Sequence, residues 1–287
     1  MSIKKISFVI GFLVFYFACK TPEKPKSKPI ISYSKPEKDS LSKLYDSYAN
    51  YMAQPTKIHR LMKDTAILYD PDNTEIRMEL SYSYKKRGEH IEAMRILNDA
   101  VARDVQKGSI DGLEYRAWSL LYFYRDYEGT IADIDQVTSM TKRSYNVCWG
   151  EPCGLLKGQA LYKLGKIQEA LAVFDTVLRE EVRIGFKAED NFLVNFYKGR
   201  CFHTLKQYDQ AIQSYQMVLN KDENYTEALY QMGLVKMAQS DFTSAKQYLE
   251  KALYWIKKGK KMGEPYFERF DEVFEWQILE ALDKLKQ

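Results

Sequence analysis

Histidine is scarce in this 287-residue chain: His59, His90 and His203 stand far apart and leave little from which to build a metal centre or an acid–base pair. Cysteine is almost as sparse, with Cys19, Cys148, Cys153 and Cys201. The four-residue gap between Cys148 and Cys153 matches neither the two-residue gap of a redox dithiol nor a four-ligand zinc site. The sequence holds no glycine-rich phosphate loop, no GxSxG elbow and no HExxH helix. No catalytic residue, metal or cofactor is therefore expected. Long apolar runs are missing as well. The run from Ile6 to Ala18 has thirteen residues, short of the roughly 20 that span a bilayer as a helix. An excess of one charge sign is absent where a fold would use it. The formal charge is +4, but residues 1–40 hold eight Lys against Glu23, Glu37 and Asp39, which leaves 35 basic and 36 acidic residues in the body from 41 onward. A nucleic-acid binder would carry its basic excess on the folded body, so nucleic acid is not expected as a partner.

What is present begins with a leader. Lys4 and Lys5 form a positive n-region ahead of the thirteen apolar residues, the pattern of a secretory signal over 1–18. Ala18 followed by Cys19 resembles the end of a bacterial lipobox, which implies lipidation of Cys19 and a membrane anchor through that lipid. Tyr16 and Phe17 depart from the lipobox preference for a branched aliphatic and a small residue. Lys20 rather than Asp after Cys19 resembles the sorting signal of outer-membrane lipoproteins, so an outer-membrane anchor facing the periplasm is the expected location. Residues 19–40 place Pro22, Pro25, Pro29 and Pro36 among Lys and Ser, the composition of a disordered tether. Its length allows a reach of roughly 65 Å if polyproline-like and about 25 Å as a flexible coil.

From about residue 74 a small residue recurs with apolar residues four and seven places later. Ala211 precedes Tyr215 and Val218, and Ala245 precedes Leu249 and Ala252, a period of 34. Twelve places before each small residue stands a glycine: Gly158 before Ala170, Gly199 before Ala211, Gly233 before Ala245. Earlier units centre on Thr130 and Ala93, with spacings stretched to 37, 40 and 41 residues, which places insertions in the turns. On these residues the segment 41–256 resembles the tetratricopeptide repeat family. The resemblance implies an all-α, right-handed superhelical solenoid of antiparallel helix pairs with five clear repeats. A degenerate sixth is expected over 41–73, where Ala66 and Pro71 look like a repeat's end. Trp is missing from the fourth position of the repeats. After the basic break KKGKK at 257–261, Phe267, Phe270, Phe274, Ile278, Leu282 and Leu285 predict a capping helix from about 264, within a terminal region 257–287.

The family binds partners in the concave groove lined by the first helix of each pair. Counting its second, fifth, ninth and twelfth positions from residues 74, 111, 151, 192 and 226 gives Tyr82, Tyr115, Tyr122, Tyr162, Phe196, Arg200, His203 and Tyr230 as the candidate groove. Tyrosine gives large contact area at low rotamer cost, which suits an extended peptide or a helix. The Lys/Asn carboxylate clamp of some relatives is not found at these positions. Cys148 and Cys153 are a candidate disulfide for an oxidising compartment. The leading reading is a non-catalytic, lipid-anchored scaffold or adaptor that binds a protein or peptide in the bacterial envelope, similar to lipoproteins serving β-barrel assembly or pilus secretion. Its rivals are an envelope enzyme or thiol-redox factor at Cys148/Cys153 or Cys201/His203, and a glycan-binding module using the aromatic groove.

Overall fold

A computed structural model describes residues 32–264 and 267–286. The leader 1–18, Cys19 and the first part of the tether lie outside the described residues. Thirteen α-helices run through the described chain: α1 Lys35–Asn50, α2 Lys57–Tyr69, α3 Thr74–Lys85, α4 His90–Lys107, α5 Asp111–Ser119, α6 Tyr127–Thr141, α7 Cys153–Lys163, α8 Ile167–Arg183, α9 Phe192–Thr204, α10 Tyr208–Lys221, α11 Thr226–Ala238, α12 Phe242–Lys257 and α13 Glu275–Lys284. Each odd helix packs on the even helix that follows, giving six pairs, and successive pairs stack into a solenoid. Odd helices also touch odd helices, α3 on α5, α5 on α7, α7 on α9 and α9 on α11, and so form the inner wall. None of the described helices is long and apolar enough to cross a membrane.

The repeat pattern is a packing rule. Ala93, Thr130, Ala170, Ala211 and Ala245 are all buried. A Cβ on Gly199 would lie 2.4 Å from the Tyr215 ring, one on Gly158 2.2 Å from Phe174, and one on Gly233 2.6 Å from Leu249. Only a missing side chain on the first helix lets the ring or branched chain of the second lie flat against its backbone. The stretched spacings have separate causes. Leu120–Tyr124 extends α5 as a π-helical turn closed by Arg125 in the left-handed region. A two-stranded hairpin pairs Val147–Cys148 with Glu151–Pro152 ahead of α7, and Cys148 and Cys153 are joined by a disulfide.

Two expectations need correction. The tether does not run to residue 40, because α1 opens at Lys35: Ser34 and Glu37 form a capping box and Pro36 sits in the first turn, where a proline costs no hydrogen bond. The sixth pair is therefore α1 and α2. The capping helix does not start near 264. It starts at Glu275, with Gln277 reaching back to the Phe274 N–H at 2.8 Å. Ahead of it, described residues through Phe274 form no helix, and Asp271 takes φ 55°. The apolar stripe is divided: Phe267 and Phe270 serve the groove, while Ile278 and Ala281 serve α13.

The first pair also breaks the pattern. His59, one period before Ala93, fills the small position, and Lys63 stands where Leu97, Phe174, Tyr215 and Leu249 stand later. Lys63 is wholly buried and donates to Asp46 at 2.6 Å, to Asn50 at 2.9 Å and to Glu79. An ionic cluster thus replaces the apolar knob, and the charge is tolerated because its donors are all used.

Candidate partner-binding groove

The inner wall carries most of the expected aromatic set, sorted by burial. Tyr82, Tyr162, Arg200, His203 and Tyr230 are partly exposed, whereas Tyr115 and Tyr122 are buried. Phe196 is a correction. It is fully buried and packs on Tyr197, Tyr215 and Tyr225, so it belongs to the core between repeats. The neighbouring Tyr197 is buried too, but its hydroxyl reaches the segment lying along the inner wall and donates to the Phe270 carbonyl at 3.1 Å. Counting positions along α9 missed the facing residue by one, which is a 100° rotation about the helix.

The groove is filled in part by the chain itself. The Phe267 ring sits 5.3 Å from Tyr122, 5.0 Å from Phe123 and 5.8 Å from Trp118. Phe270 lies 5.7 Å from Tyr122, with the Arg125 guanidinium 4.1 Å over its ring and the Lys163 ammonium at 5.1 Å. Asp271 accepts from Lys163 at 3.2 Å and from Arg200 at 3.3 Å. Arg125 also donates to the Glu268 carbonyl, and Glu227, at the start of α11, accepts the Met262 N–H at 2.7 Å. Burial is the largest single influence on the Arg200 pKa and would pull it down; the charge of Asp271, joined by Tyr162 and Tyr215, leaves it raised. Spacing alone assigns Phe267 and Phe270 to a helix stripe and gives Asp271 no role in the groove.

Beside Phe267, Tyr82, Tyr115, Trp118, Trp149 and Glu264 line a recess of about 180 Å³. Beneath it Lys85 is buried with no carboxylate partner among the described residues. Its ammonium donates to Ser119 at 2.6 Å and Tyr115 at 3.1 Å, and lies 4.4 Å from the Tyr115 ring and 4.9 Å from that of Phe123. Burial brings its pKa down to about 7. The rings offset part of the desolvation cost by facing their negative quadrupoles at the ammonium.

The thiol sites offer little chemistry. Cys148 and Cys153 are buried and bonded to each other. Burial pushes the Cys201 thiol up to about 12, far from the thiolate that a nucleophile requires. His203 is held below its usual pKa by burial and by Arg200.

Known proteins bear on the fold. One tetratricopeptide repeat family model matches residues 155–226 and a second matches 226–258. No curated protein matches the chain significantly. Among solved structures, PilF of Pseudomonas aeruginosa is similar over 85% of this chain and 98% of its own, with a TM-score of 0.60 at 15% identity. MamA from Desulfovibrio magneticus RS-1 is similar over 64% and 96%, with a TM-score of 0.53 at 17% identity. A tetratricopeptide repeat protein from Parabacteroides merdae covers 91% and 87%, with a TM-score of 0.52 at 14% identity. Fold and motif together define an all-α solenoid of tetratricopeptide type. Its segment 155–258 carries the repeat signature in sequence.

Proposed function

We propose that this chain is a non-catalytic adaptor, anchored through a lipid on Cys19 in the bacterial envelope, that holds an extended peptide segment of a protein partner in its concave groove. One observation carries the reading: the inner wall already seats a non-helical segment of the chain itself, turned at Asp271, through Phe267, Phe270 and Asp271. The leader, the Lys/Pro-rich tether and the Cys148–Cys153 disulfide support an oxidising compartment beside a membrane. Buried, bonded or protonated thiols favour binding over catalysis.

The test is affinity capture from detergent-solubilised native membranes, comparing the wild type with a Tyr82→Ala, Tyr162→Ala, Tyr230→Ala variant of unchanged helicity. The same protein partner should be recovered by the wild type and reduced at least about tenfold by the variant. Equal recovery by both would place the interface elsewhere and overturn the groove reading.

A further inference from the structure

The segment that fills the groove is an imperfect occupant. Asp271 holds φ 55° without being glycine, a left-handed conformation that aspartate adopts more readily than most L-residues and that here fixes the direction of its carboxylate. Its pairing with Arg200 uses a single hydrogen bond, from Nη2 to Oδ1. Arg200 Nε and Asp271 Oδ2 are both buried and find no partner among the described residues. A carboxylate meeting a guanidinium freely takes both donors in a parallel fork. Here Oδ1 alone takes both Lys163 and Arg200, and the fork is not made. The aromatic contacts, by contrast, are well made: Phe267 stacks on Tyr122 at 28° between ring planes, and Phe270 lies under the Arg125 cation.

We infer that residues 267–271 are a displaceable internal ligand, and that the partner is a peptide with two aromatic residues three apart followed at once by an acidic one. Such a peptide, unconstrained by the turn at Asp271, places its rings on Tyr122 and Phe123 and under Arg125, and forks its carboxylate onto Arg200 beside Lys163. Occupied groove and free groove then differ by the release of 267–271. The apparent affinity for a partner falls in proportion to the fraction of molecules in which that segment is out. The inference rests on the groove-binding reading above and names the chemistry of its ligand.

The probe is a fluorescent synthetic peptide copying residues 262–274, titrated by anisotropy into the full chain and into a Phe267→Ala, Asp271→Gly variant. Glycine at 271 accepts the left-handed backbone, so this variant removes the ring and the carboxylate without adding strain. The variant should bind the probe at least about tenfold tighter than the wild type. A control probe lacking both rings and the acid should not bind. Equal binding by the two proteins, or binding of the control, overturns the inference. Hydrogen exchange on the unmodified chain gives a reading that does not depend on the variant folding. Residues 267–273 should exchange at least about a hundredfold faster than α9 and α10, and faster again with saturating probe; exchange at the rate of those helices overturns it. A wild-type dimer that grows with concentration and is lost in the variant would assign the groove to a second copy, and would also overturn it. If the captured partner still depends on Tyr82, Tyr162 and Tyr230 while the probe results are negative, the internal-ligand inference fails and the groove function stands.

Discussion

Lys85 is the residue whose environment has the clearest consequence in solution. Its folded pKa of about 7 lies below the roughly 10.4 of an unfolded lysine. Between those values the unfolded chain holds a proton that the folded chain has released, so this residue makes stability rise with pH across that window. The span corresponds to roughly 3–5 kcal/mol, and the full cost of the buried charge applies below pH 7. In Lys85→Met the rise in unfolding free energy between pH 7 and 10, measured by urea denaturation, should shrink by more than half relative to the wild type. An unchanged slope would show that Lys85 stays charged, held by the rings of Tyr115 and Phe123. No sequence signal marks this lysine, because its desolvation depends on Tyr115, Ser119 and Trp118 arriving from α5, the first helix of the next pair.

At the scale of elements, the glycine-to-ring contacts set how closely each pair can pack. In Gly199→Ala the new methyl would lie 2.4 Å from the Tyr215 ring, and Tyr215 is fully buried with no room to retreat. A loss of about 1–3 kcal/mol is expected from overpacking, read as a lower denaturation midpoint at unchanged slope. These contacts were legible beforehand, since Gly158, Gly199 and Gly233 recur at fixed distance from the ring or branched residue that covers them. So were the helix starts: expected at 74, 111, 151, 192 and 226, they fall at 74, 111, 153, 192 and 226. The stripe from Phe267 to Leu285 misled because helical spacing cannot show that Phe267 and Phe270 are drawn out of register by Trp118, Tyr122 and Arg125, residues far earlier in the chain. The face of α9 misled for a similar reason. Two adjacent aromatics, Phe196 and Tyr197, both suit a wall, and only packing decides that the core takes Phe196.

For the molecule as a whole, charge and place are separable. The solenoid body is close to neutral and the positive excess sits in residues 1–40, so under the proposed lipid anchoring any attraction to anionic head groups belongs to that end, at about 1 kcal/mol per lysine near the surface. Cys19→Ala should move the protein from the membrane fraction to the soluble envelope fraction and abolish labelling by a palmitate analogue. Retention and labelling in the variant would remove Cys19 as the anchor. Only the pattern of the leader carries this part of the account, whereas the groove rests on geometry.

The central claim is that the inner wall meets a protein partner, and photo-crosslinking in the native envelope tests it most directly. A photoreactive phenylalanine analogue would replace Tyr82 or Tyr230, both on the inner wall, or Tyr254, an exposed residue of the outer helix α12. The account predicts a discrete higher-mass adduct from positions 82 and 230 and none from 254; an adduct from 254 alone would contradict it.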